Sequence, residues 1–264
     1  MASTLAGPID SALIQKELKI LGVPSGATVV VHSSLSAFGA VNGGVQAIVD
    51  ALLHAIGNSG TLVVPTFTPQ VSDPHPQSPS FEDPKIIRDR QSVPLFHDHL
   101  PTPMGAVPNA VLAHPERLRG RHPQASVAAV GARAGEITVD QPFVYALGKD
   151  SPFEKMYRLG AYILLLGVGH NRNSFLHYAE SLVANHRTKL RRFPYMIGNE
   201  RVWVEVPDVG DDNGKYFPQI GAEAEAAGLI RSTMIGSARC QLMECVPFVD
   251  FARSRLEALL VGNL

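Results

Sequence analysis

The chain has 264 residues, with 23 Lys+Arg against 24 Asp+Glu and 45% hydrophobic residues. A formal net charge of −1 gives no basic surface for a nucleic-acid backbone and no polybasic tract for a membrane face. The apolar content is that of a globular chain, long enough to bury a core without disulfide or metal staples.

No apolar run approaches the roughly 18 residues of a membrane span. The longest, residues 161–169 (AYILLLGVG), reads as a buried strand. The two cysteines, Cys240 and Cys245, sit among apolar neighbours and read as packing residues in a reducing compartment. The first residues lack the basic then apolar pattern of a secretory signal, so a cytoplasmic location is expected.

In chain order, the first expected element is a helix over residues 11–21, with Asp10 as N-cap after Pro8. A turn at residues 22–26 leads to a β-branched strand over 28–32 (TVVVH), then a polar loop over 33–44. Apolar residues at helical spacing over 45–56 predict a second helix, stopped by Gly57-Asn58-Ser59-Gly60. A second strand starts over 61–64. This strand–helix–strand unit implies a right-handed crossover and a largely parallel sheet.

Residues 66–108 break that rhythm. Ten of the 20 prolines lie from Pro65 to Pro108. A loop that long in a compact domain is usually functional or disordered. With regular structure on both sides, it is expected to face substrate and to hold short helical turns, one over 106–113. A strand over 126–131, a helix over 151–159 with Ser151 as N-cap, a central strand over 162–166 and a helix over 175–184 follow. Residues 190–220 alternate polar and aromatic segments, with a strand over 201–206 (RVWVEV) in an antiparallel excursion. Helices over 222–227 and 248–260 close a single domain spanning 1–264.

Two constellations carry chemistry. His32-Ser33-Ser34-Leu35 puts hydroxyls and backbone amides just past a strand's end, where open α/β sheets bind ligands. It reads equally as a serine-rich turn. The run from Gly167 to Glu180 (GVGHNRNSFLHYAE) takes a strand through a polar turn into a helix. There His177 and Glu180 share a face, and a carboxylate beside an imidazole suits acid–base catalysis. Surface His–Glu pairs with this spacing are also common. Ten histidines raise a zinc reading, but no H-x-x-x-H or C-x-x-C pair occurs, so no metal is expected. G-x-S-x-G, the P-loop and G-x-G-x-x-G are all absent, which disfavours a serine hydrolase, ATP, GTP and NAD.

The blocks VHSSLSAFGAV, GTLVVPTFT, RGRHPQASVAAVGARA, GKDSPFEKMY, LLLGVGHNRNSFLHYAE, RVWVE and GSARCQLMECVPFVDFA occur in order. Together, from about Gly22 to Phe251, the chain resembles the aminoglycoside N(3)-acetyltransferase family. The resemblance implies an α/β/α sandwich with a central, mostly parallel sheet and a small antiparallel excursion, distinct from the common N-acetyltransferase fold. It implies an acetyl-CoA-dependent acyltransferase that modifies the 3-amino group of 2-deoxystreptamine antibiotics and so confers resistance. By the same resemblance His32, Ser33, Ser34 and Leu35 hold the pantetheine arm. Met104, Gly105, Val107, Arg119, Ser126 and Ala128 hold the rest of the cofactor. His177 is the general base and Glu180 its neighbour.

The residue types fit direct transfer in a ternary complex. An imidazole takes a proton from the attacking amine, backbone N–H groups near residues 33–35 stabilise the oxyanion, and no cysteine sits in an acyl-enzyme motif. A polycationic acceptor calls for acidic partners. Thr66, Asp73, Asn171, Asn173, Asp208 and Glu223 are assigned to it, with Glu82, Asp83, Asp211 and Asp212 as further acidic candidates. One departure stands out. Where the family turn reads H-D-S-N-T-T-L-H, this chain has His170-Asn171-Arg172-Asn173-Ser174-Phe175-Leu176-His177. Losing one carboxylate and gaining a guanidinium weakens the hold on a polycation, by about 1 kcal/mol for each close charge. An acceptor other than an aminoglycoside, or a catalytically idle CoA-binding protein, are the alternatives.

Overall fold

The computed structural model describes residues 7–78, 82–210 and 215–261. Asp10 opens α1 (Ser11–Leu21) by accepting the Leu13 N–H at 2.9 Å, and Gly22 closes it in left-handed backbone. Then come β1 (Thr28–Ser33), α2 (Gly44–Ile56) and β2 (Thr61–Pro65). The proline-rich stretch holds α3 (Pro84–Ser92) and α4 (Ala106–Leu112). Beyond it lie β3 (Leu118–Arg119), β4 (Val127–Gly131), α5 (Ala134–Thr138), α6 (Pro152–Arg158), β5 (Tyr162–Leu166) and α7 (Phe175–Ser181). The last third contains β6 (Thr188–Ile197), β7 (Glu200–Val209), α8 (Phe217–Ala226), β8 (Ile230–Ile235), β9 (Ala238–Glu244) and α9 (Cys245–Val261).

Seven strands form one sheet in the order β3-β4-β2-β1-β5-β9-β8. β1 pairs in parallel with β2 and β5, while β4 and β9 pair antiparallel to their neighbours. β1, β2, β3, β5 and β8 therefore run one way and β4 and β9 the other. The mostly parallel sheet holds at its centre, and the flanks alternate.

Period-two alternation divides the core between two faces. Val30, Val63, Ile163 and Leu165 face α5 to α9, and Val29, Val31, Leu62, Val64, Leu164 and Leu166 face α1, α2 and α4. These helix layers on both faces make the α/β/α sandwich that the resemblance implied.

β6 and β7 pair only with each other, from Thr188↔Val209 to Ile197↔Glu200. This ribbon is the expected excursion, longer than the single strand anticipated. It shares a small core of Val71, Leu100, Phe193 and Val206 with the proline-rich segment. That segment is fastened from below by Arg119, which donates to the carbonyls of Thr66, Asp98 and Leu100 and to Ser126 Oγ. Burial pushes this guanidinium down to about 10, against the opposing pull of Asp98.

Several boundaries differ from expectation. The helix expected over 175–184 ends at Ser181, and those expected to begin at 222 and 248 begin at Phe217 and Cys245. The β8–β9 hairpin and α3 were not anticipated.

Three buried imidazoles give the fold a pH dependence. His122 Nδ1 accepts the N–H groups of Gln124 and Ala125 at 3.0 Å each, and Nε2 donates to Phe143 O at 3.2 Å. Burial holds it neutral, with a pKa near 4. Burial also takes His32 to about 3, helped by neighbouring His170, and His170 to about 4. Unfolded imidazoles titrate near about 6.5. Between about 6.5 and about 4, the unfolded chain binds protons that the folded chain refuses, so stability falls as pH drops. Each ring contributes up to about 1.4 kcal/mol per pH unit. We expect the urea midpoint to be flat from pH 8 to 7 and to fall from about 6.5 downward. A midpoint unchanged to pH 5 would contradict the neutral, buried rings.

Candidate active site

β1, β2 and β5 are parallel, so their carboxyl ends meet at one edge of the sheet, where open α/β folds place their ligands. Two clefts open there. The first, about 600 Å³, is formed by His32 and Ser33 at the end of β1, the turn Ser34 to Ser36, Pro65, and Gly167 to Gly169 after β5. Met104 and Gly105, just before α4, wall it. The second, about 290 Å³, is lined by Phe67, Gln124, Leu147, Asn173, His177 and Arg191. Met104, Asn171, Arg172 and Ser174 line both, so the clefts adjoin.

The strand-end turn is tightly built. Ser34 N–H donates to Leu166 O at 2.9 Å and joins the ends of β1 and β5. A short 3₁₀ turn, Leu35–Phe38, starts there, so the N–H groups of its first residues have no partner within the turn. His32 Nε2 is buried in the cleft wall with no hydrogen-bond partner among the described residues. Gly167 has φ +67°, and a Cβ there would lie 2.4 Å from Ala37 Cβ.

α7 carries His177 and Glu180 on one face. Asn173 Oδ1 accepts the Phe175 N–H at 3.1 Å at its start. His177 Nδ1 lies 3.4 Å from Glu180 Oε2, and Glu180 Oε1 accepts from Arg187 Nη2 at 3.2 Å. The Glu180 side chain is 0% exposed and that of His177 12%. Phe217 packs edge-on against the imidazole with centroids 4.8 Å apart. Donation from Nδ1 to the carboxyl leaves Nε2 free to accept a proton. The 3.4 Å separation is longer than a typical hydrogen bond, and catalytic bonds often tighten only when substrate is present.

The family model for aminoglycoside 3-N-acetyltransferase matches residues 30–257. The chain belongs to this family. It is 34% identical over 253 residues to the SPbeta prophage-derived aminoglycoside N(3')-acetyltransferase-like protein YokD of Bacillus subtilis, covering 93% of this chain and 91% of that protein. It is 32% identical to aminoglycoside N(3)-acetyltransferase VII of Streptomyces paromomycinus, covering 95% and 92%. The crystal structure of YokD superposes with a TM-score of 0.91 at 31% identity over 99% of this chain and 98% of that one. AAC-IIIb, solved as a binary complex with CoASH, gives 0.83 at 26% identity over 95% and 97%. AAC-VIa bound to sisomicin gives 0.85 at 27% identity over 96% and 98%. Among the described residues no helix is long and apolar enough to cross a membrane.

Within this family member, the structure gathers only part of the expected site. His32, Ser33, Ser34, Leu35, Met104 and Gly105 line the larger cleft, and His177, Asn171 and Asn173 the smaller. Glu180 stands behind His177. Val107, Ser126, Ala128 and Thr66 are fully buried and line neither cleft. Ser126 and Thr66 hydroxyls bond each other at 3.0 Å. Arg119 borders a separate depression beside β3 and α5, its guanidinium spent on backbone carbonyls.

The acidic set is corrected most. Asp73 is buried between Arg90 and Arg192, whose hydrogen bonds hold its carboxyl below the usual range despite the opposing effect of burial. Asp208 is fully buried and paired with Arg191. Glu223 lies on α8 and pairs with Arg255. Asp83 caps α3 through the Lys85 N–H, with Glu82 exposed beside it. Asp211 and Asp212 lie outside the described residues.

Arg191, Gln124, Phe67 and Leu147 are lining residues that the sequence reading missed. Gln124 sits in the quoted HPQAS block, and the block itself was a usable signal. Arg187, seven residues beyond Glu180, had none, because the chain leaves the helix before reaching it. The turn after β5 gives a direct test. Gly167→Ala adds strain at positive φ and a clash with Ala37, and should destabilise by about 1–3 kcal/mol in equilibrium denaturation. Wild-type stability would contradict the close approach of these two turns.

Proposed function

We propose that the chain transfers the acetyl group of acetyl-CoA directly to a primary amine, with His177 as general base. The observation that carries this is the position of His177 in a small cleft that adjoins a larger one, backed by a buried carboxyl group. The larger cleft suits the extended arm of CoA, the ligand named for AAC-IIIb. The smaller suits the acceptor. Its family makes the 3-amino group of a 2-deoxystreptamine aminoglycoside the first acceptor to test, and sisomicin is named as bound to AAC-VIa.

In the reaction the amine nitrogen attacks the thioester carbonyl carbon as its proton passes to His177 Nε2. Negative charge gathers on the carbonyl oxygen, within reach of the N–H groups that open the turn after Ser34. The C–S bond then breaks, the sulfur leaves as CoA thiol with a proton, and the amide remains. Glu180 orients the ring and stabilises its cationic form. Holding both substrates in adjoining clefts supplies much of the acceleration. Acetylation removes one positive charge from the acceptor, which is how such an enzyme confers resistance to a polycationic antibiotic.

A second reading keeps the fold and cofactor and changes the amine. The smaller cleft favours it, because Arg172 and Arg191 line it and no carboxylate does among the described residues. His177→Ala should lower acetyl transfer by about 10²–10⁴-fold in a thiol-release assay while CoA still binds by calorimetry. Glu180→Gln should fall between that variant and wild type. Turnover that survives His177→Ala would remove the general-base role.

A further inference from the structure

Among the described residues, the charges around the smaller cleft do not suit a polycation. Asp73 is held by Arg90 and Arg192, Asp208 by Arg191, and Glu180 by Arg187. Each of these carboxyl groups is buried and paired, with no charge left to offer a ligand. Arg172 is the opposite case. It is exposed and lines both clefts, and while its backbone N–H donates to Gly169 O at 3.0 Å, its guanidinium has no hydrogen bond or ion pair to any described residue. Arg191 approaches from β6, with its Nε on Asp208 and Nη1 3.4 Å from Gln124 Oε1. The cleft, of about 290 Å³, opens into the larger one through Met104, Asn171, Arg172 and Ser174, so Arg172 meets whatever enters from either side.

Resting on acetyl transfer at His177 and revising only the acceptor, we infer that the favoured substrate is an amine that carries an anionic group, carboxylate or phosphate, held by Arg172. A guanidinium recognises either group through paired N–H donors. The same charge repels a molecule bearing several ammonium groups. The place of Arg172 favours the acceptor over the donor's phosphates. It sits where the clefts meet beside His177, which is where the thioester must lie, and the phosphates of CoA are at the far end of the pantetheine arm.

The test compares matched amines in the thiol-release assay on the full chain: O-phosphoethanolamine against ethanolamine, 4-aminobutyrate against n-butylamine, and sisomicin beside them. We expect the anionic member of each pair to have the higher kcat/KM by about tenfold, through KM, and to exceed sisomicin. Arg172→Ala should bring the paired ratios toward one, and Arg172→Lys should restore part of the difference. The Arg172 guanidinium has no hydrogen bond or ion pair among the described residues, so neither variant threatens the fold. Arg172→Asp should move the preference toward sisomicin. Ratios near one in wild type, ratios unmoved by Arg172→Ala, or a higher kcat/KM for sisomicin would each overturn the inference. So would a rise in the KM for acetyl-CoA that accounts for the loss in Arg172→Ala, since the guanidinium would then serve the donor. Absence of thiol release with every amine is a different failure: it overturns acetyl transfer itself, and this inference with it.

Discussion

The site depends on one buried carboxyl group. Glu180 lies wholly out of water on α7, and its two oxygens are divided between His177 and Arg187. An ionisable group taken out of solvent is tolerated only when its hydrogen bonds are met inside. Here meeting them has two consequences. The first oxygen sets the rotation of the imidazole. The second holds Arg187, the residue just before β6, and so ties the start of the ribbon to the helix that carries His177. The setting of the His177 ring and the placement of the ribbon are thus coupled through one side chain.

The rest of the cleft follows from strand direction. Parallel pairing of β2, β1 and β5 brings three carboxyl ends together, and each must leave the sheet through a turn of its own. The turn after β1 and the glycine turn after β5 touch, which leaves room for backbone but for no side chain at Gly167. The third exit, after β2, is the proline-rich segment. It continues beside β4, with Thr66 and Thr68 N–H groups donating to Ser126 and Gln124 carbonyls. Arg119 then gathers its far end. In a segment with so few regular elements, side chains replace the hydrogen bonds that a sheet would have supplied: Arg119, with Arg90, Arg201 and Thr102, donates to its backbone carbonyls. Thr66 and Ser126 are buried against each other within this wall, and the Arg119 guanidinium is spent on its carbonyls.

Legibility follows the range of each signal. α1 and β5 match their expected limits because a capping aspartate and an uninterrupted apolar run act within a few residues. His177 and Glu180 were legible as a pair for the same reason, three residues apart on one helix. The β8–β9 hairpin was missed although Gly236 stands at its turn, because its strands mix Arg, Ser, Thr and Gln and look polar from outside. α3 was hidden by a charged sequence, KIIRDRQS, though Asp83 followed by Pro84 is a helix-start signal. The acidic set failed for a different reason. Asp73 lies 119 positions from Arg192 and Asp208 lies 17 from Arg191, and pairings across folded elements leave no trace in local spacing.

That failure separates two layers of the molecule. The parts assigned to acyl transfer stand on the sheet's carboxyl edge and on α7, elements fixed by the central core. The charge of the acceptor cleft comes from an exposed turn residue, Arg172, and from the ribbon, which shares no strand pairing with the main sheet. Changing Arg172 breaks no side-chain hydrogen bond or ion pair among the described residues, whereas changing Glu180 would strand Arg187 and release His177. The two layers are thus held differently: the His177–Glu180 pair is fixed by a helix of the central core, whereas the Arg172 guanidinium makes no hydrogen bond among the described residues and Arg191 is tied to buried Asp208.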